Sequence, residues 1–146
     1  SLPDAWTGEP HRGAQLHRLE DAVRTWVHTY GQTPYFRQLD HPVTPQMEDE
    51  VLRVVNEYDG HRFPHTGTLA KHWLLGRVRR GVPLEDIYCA ELVALTYHRM
   101  GLLDGRRPVN WYDPGRFWSG DELELAAGAT LGEEIHVTVP APAERW

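Results

Sequence analysis

Hydrophobic positions along this chain follow two periods, one near 3.6 residues and one of 2. Between Glu20 and Tyr30, the residues Val23, Trp26, Val27 and Tyr30 recur at helical spacing. Acidic residues stand in the first turn and Gly31 follows the end, so a short helix is predicted there. Thr44-Pro45 opens a second helix, a capping residue followed by proline at the first helical position. Its buried stripe is Met47, Val51, Val54 or Val55, and Tyr58, and Asp59-Gly60 stops it. A third helix is predicted from about Thr68 to Val78, with Leu69, Trp73 and Leu74 facing inward. In the fourth, Cys89, Leu92, Val93, Thr96, Tyr97 and Met100 share one face that is expected to be buried. Gly101 ends it in the left-handed conformation, with Arg99 near the negative end of the dipole. Pro83 and Asp86 are its start signals, so it should open between Asp86 and Cys89, which puts Cys89 in the first turn.

The period of two predicts strands at Gly13 to Leu19, Tyr35 to Leu39, Asp121 to Leu125 and Glu133 to Val139. The last alternates Ile135, Val137 and Val139 with Glu134, His136 and Thr138, and Pro42 bounds the second. Residues 1–12 read as a loop anchored by Trp6, and Pro108 to Phe117 as a proline-bounded loop whose aromatics plug the core. The fold class is α+β, with helices packed on a small antiparallel sheet.

At 146 residues and 40% hydrophobic, the chain has the size of one domain, 1–146, able to bury a core. A formal charge of −6 with scattered basic residues argues against a protein that holds a phosphate backbone, so no nucleic-acid partner is expected. No apolar run approaches the ~20 residues of a membrane span. A single cysteine excludes an internal disulfide framework and favours a reducing, cytoplasmic setting. The opening residues, Ser1 to Trp6, read as the continuation of a longer chain. His61, His65 and His72 invite a metal reading, but Pro64 keeps the first two off a common helical face and no acidic or cysteine ligand stands at a matching interval. Neither metal nor cofactor is expected.

Cys89 has two readings on its own residues. It is a small side chain buried in a core helix, or a thiolate stabilised by unpaired N–H groups at a helix start. The run Tyr88-Cys89-Ala90-Glu91-Leu92-Val93, then Tyr97, Met100-Gly101-Leu102-Leu103, Pro108, Asn110 and Asp113-Pro114-Gly115-Arg116-Phe117, resembles the permuted papain-like amidases, YiiX-like relatives of the NlpC-type cysteine peptidases. The resemblance implies a circularly permuted papain-like cysteine hydrolase with Cys89 as nucleophile, although Ala90 stands where serine is usual. It implies acyl transfer to Cys89 and hydrolysis of the thioester by water, an amidase or peptidase reaction on a small-molecule, peptide or acyl substrate. The backbone N–H of Cys89 would serve the oxyanion. Glu91 is part of the motif, but two residues turn a helix by about 200°, so Glu91 should anchor the helix rather than touch the sulfur.

The resemblance places the catalytic histidine on a strand before Ser1, so that the segment would lack its N-terminal strand. His136 is the internal alternative, as in the unpermuted arrangement, against the simpler reading of a solvated strand residue. Two other functions stay open: a catalytically silent papain-like binding module, and an acyltransferase using the same thioester.

Overall fold

The computed structural model describes residues 2–5, 7–10, 13–60 and 84–143, and of residues 84–88 the backbone alone. Trp6, the predicted helix from Thr68 to Val78 and the histidines His61, His65 and His72 lie outside the described residues. The architecture is α+β. In order come α1 (Leu19–His28), β1 (Tyr35–Phe36), β2 (Leu39–Asp40), α2 (Pro45–Tyr58), α3 (Leu84–Arg99), β3 (Thr130–Leu131) and β4 (Ile135–His136). Three short 3-10 turns, Val109–Trp111, Pro114–Phe117 and Ser119–Asp121, join α3 to β3.

α2 forms where its capping signals predict, and α3 ends where Gly101 predicts. Thr44 caps α2 by accepting the N–H of Met47 at 3.2 Å, and Pro45 takes the position where its missing N–H costs nothing. Met47 and Val54 are buried on its inner face. At the end of α3, Gly101 has φ of +80°. The N–H of Leu102 reaches the carbonyl of Tyr97 at 2.8 Å and that of Gly101 reaches His98 at 3.0 Å, which is the Schellman arrangement. This closure sends Leu102 and Leu103 into two neighbouring clusters. Leu102 packs with Met47 and Ala129, and Leu103 with Ala94 and Tyr112. The loop aromatics belong to this core: Tyr112 is buried, and Trp111 and Phe117 pack against it.

Four expectations need correction. First, α3 opens at Leu84, so Cys89 lies in its second turn and not in its first. Second, the deepest face of α3 is not the one carrying Cys89. Ala90 and Ala94 are the buried positions, while Cys89 is exposed and Val93 is 42% exposed. Alanines let neighbouring backbone approach closely, and a search for bulky apolar residues passes over them. Third, Gly13 to Leu19 is not a strand. The backbone of Leu16 is satisfied by the N-terminal loop instead, its N–H by the Asp4 carboxylate at 2.7 Å and its carbonyl by the N–H of Ala5 at 2.7 Å. Fourth, Asp121 to Leu125 forms no ladder; it leaves a 3-10 turn, passes Glu122 at φ of +51°, and is tied at Ala126 to the carbonyl of Leu102.

The remaining strands are shorter than predicted and form two antiparallel two-stranded pairs rather than one sheet. β1 pairs with β4, Tyr35 opposite His136 and Phe36 opposite Ile135. β2 pairs with β3, Leu39 opposite Leu131 and Asp40 opposite Thr130. The two pairs are one ribbon with a flaw in the middle. Between them the first strand supplies Arg37 and Gln38 and the second supplies Gly132, Glu133 and Glu134, so one strand carries an extra residue, as in a β-bulge. A bulge interrupts ladder hydrogen bonding, and the backbone carbonyls it releases need other donors. Arg37 provides them.

Candidate functional site

Cys89 opens onto a hollow of about 380 Å³ between α3, the ribbon and the 3-10 turn at Pro114–Phe117. From α3 come Cys89, Val93 and Tyr97, spaced four residues apart on one face. From the ribbon come Tyr35 and Arg37, two residues apart and therefore on the same side of the strand. Phe117 closes the far side, its ring edge-on to Tyr97 at 6.3 Å.

Arg37 is the fixed point of this arrangement. Its Nε donates to the carbonyl of Gly132 at 2.5 Å, Nη1 to that of Phe117 at 2.7 Å and Nη2 to that of Leu131 at 3.0 Å. One guanidinium thus satisfies carbonyls at the bulge and ties the ribbon to the turn carrying Phe117. Burial pushes the Tyr97 phenol above its ordinary pKa, and the nearby positive charge of Arg37 works against that rise. The hollow is therefore a mostly apolar, aromatic space with one cation in its wall.

The position of Cys89 changes the chemistry expected of its surroundings. In a regular helix an N–H in the second turn points at the carbonyl four residues earlier. Only the first four N–H groups lack such partners. The backbone N–H of Cys89 is thus committed to the helix and is not an oxyanion donor, contrary to the expectation from the sequence. The same displacement moves the sulfur away from the first turn, where the positive end of the helix dipole acts most strongly.

Of the other residues in the matched run, Asp113 and Arg116 have structural work. Asp113 is buried, and its Oδ1 accepts the N–H of Arg116 at 3.1 Å at the start of the turn opened by Pro114. The Arg116 guanidinium lies 3.8 Å from the ring centroid of Trp111 and pairs with Asp121 at 3.0 Å. His136 sits on β4 with its ring 5.4 Å from that of Tyr35, which lines the hollow. It is exposed, as a solvated strand residue would be. His98, at the other end of α3, is engaged with the carbonyl of Leu103 at 3.2 Å.

The sequence reading found Cys89 and missed Tyr35 and Arg37. Their shared face was legible, since they stand two residues apart on a predicted strand, but the partners of Arg37 lie 80 to 95 positions away and leave no local signal. Among the described residues no helix is long and apolar enough to cross a membrane. Comparison with known proteins finds no matching family model, no similar curated protein and no similar solved structure.

Proposed function

We propose that this chain is a thiol hydrolase of the papain-like kind, an amidase or peptidase whose nucleophile is Cys89. The observation that carries the reading is exposure. A cysteine serving only the core is buried, whereas Cys89 is exposed in a hollow large enough for a small acyl group. The sulfur attacks a substrate carbonyl, the carbon–leaving group bond breaks with proton delivery to the departing amine or alcohol, and water then cleaves the thioester to return the thiol and release an acid. Arg37 puts a fixed positive charge in the wall of the same hollow. His136, its ring 5.4 Å from that of Tyr35 in the wall of the hollow, is taken as the base, which is the unpermuted arrangement.

Commitment of the Cys89 N–H to the helix favours a second reading, a catalytically silent papain-like module that binds a peptide in the same hollow. Hydrolysis of a small acyl thioester separates the two. The hydrolase reading expects turnover by the wild-type chain that Cys89→Ser removes and that His136→Ala lowers by about 100-fold or more. Equal rates in the wild type and Cys89→Ser favour the binding module. An intact rate in His136→Ala assigns the base to another residue.

A further inference from the structure

We propose that the hollow beside Cys89 recognises a carboxylate, held by Arg37, on a small ligand whose apolar body lies against Tyr97, Phe117 and Val93. The inference rests on the acyl-transfer reading of the same site and adds its substrate class: an amide or thioester with a free carboxylate close to the bond that is cut.

Arg37 is the one ionised side chain lining the hollow among the described residues. Its recorded partners are three backbone carbonyls, which are neutral, and among the described residues no carboxylate forms an ion pair with it. A half-buried guanidinium bound to neutral acceptors keeps its full positive charge, and such a charge is stabilised by an anion brought into the same partly desolvated space. Glu134 feels the field of Arg37 but is committed elsewhere, accepting the N–H of Ser119 at 2.7 Å and its hydroxyl at 2.5 Å.

Geometry narrows the ligand further. A guanidinium carries five N–H groups, and here three are used. The other two lie on Nη1 and Nη2, the pair that meets a carboxylate two-on-two. Because the three carbonyls hold the group in place, binding orders little that is not already ordered. The rest of the wall is aromatic and aliphatic, so an uncharged ligand gains the apolar contacts without the ion pair, and an amine is repelled. A volume of about 380 Å³ lies at the small end of ligand sites, which fits an acid of modest size.

The test titrates 3-phenylpropionate, the isosteric 3-phenylpropanamide and 2-phenylethylamine into the full 146-residue Cys89→Ala chain, followed by NMR chemical shifts. The acid should bind at least 10-fold more tightly than the amide, the amine more weakly still, and added salt should narrow the gap. Val93→Glu sets a carboxylate at an exposed position on the wall and should remove the preference for the acid with the melting temperature unchanged. Arg37→Gln should do the same, but it also loosens the bulge, so Val93→Glu decides. Equal binding of acid and amide, no binding of the acid, or an undiminished preference in Val93→Glu would each overturn the proposal. Because the binding variant lacks the sulfur, the two readings fail separately. Acid binding without thioester turnover by the wild type retires only the hydrolase, whereas turnover without acid preference retires only this inference.

Discussion

Replacing Arg37 by glutamine should cost more stability than any other single charge removed from the described surface. The guanidinium makes three hydrogen bonds to backbone carbonyls of residues 80 to 95 positions away in sequence, two of them part-buried. A hydrogen bond to a charged group contributes about 1.5–3 kcal/mol, and less where water can replace the lost donor. Counting the two part-buried bonds near the lower end of that range and the exposed one at a fraction of it gives about 3 kcal/mol. That is a large part of the ~5–15 kcal/mol by which domains are stable. Glutamine can recover at most one of the bonds. Urea unfolding followed by tryptophan fluorescence measures the loss as a fall in the midpoint at constant slope. Arg53→Gln is the control, because among the described residues Arg53 pairs with Glu50, one turn away on the exposed side of α2, and its removal should cost under about 0.5 kcal/mol. Arg37→Lys should fall between, since a compact ammonium cannot span three carbonyls. A loss below about 1 kcal/mol in Arg37→Gln, or one matching the Arg53 control, refutes the claim that this side chain holds the bulge.

Gly101→Ala should cost about 1 kcal/mol by chemical denaturation, all of it backbone strain at φ of +80°, because an added Cβ meets no atom within 4 Å; no change would mean that the Schellman closure does not depend on glycine. The hydroxyl and N–H of Ser119 hold the Glu134 carboxyl below its ordinary value of 4.5. A lowered folded value gives stability that is complete above 4.5 and is lost as pH falls through the folded value. Glu134→Gln should therefore flatten the acid limb of a stability-against-pH curve and leave its slope above pH 6 untouched, and an unchanged acid limb counts against the clamp.

Helices were the legible part of this fold because their signals are local. Thr44-Pro45 and Gly101 act within one turn, and both ends form as the residues require. The strands were legible only as places. Tyr35 to Leu39 and Glu133 to Val139 do pair, but the extra residue between Leu131 and Ile135 depends on a partner strand more than 90 positions away and leaves no periodic trace. Gly13 to Leu19 read as a strand because nothing local reveals that Asp4 will take the N–H of Leu16. At the site, Cys89 stood out as the single cysteine, whereas its exposure did not, because Ala90 and Ala94 take the packing that the bulkier neighbours were expected to provide. Arg37 was hidden for the opposite reason: its importance lies in three carbonyls that only the folded ribbon brings together.

The central claim is that Cys89 is a working nucleophile, and intact-mass spectrometry of the folded chain exposed to a small acyl thioester tests it most directly. The account predicts rapid gain of one acyl mass, mapped to Cys89, followed by its loss as water cleaves the thioester, with neither step in Cys89→Ser. An acyl group that adds only after denaturation, or that adds and then stays as long as on an unfolded thiol, would contradict it.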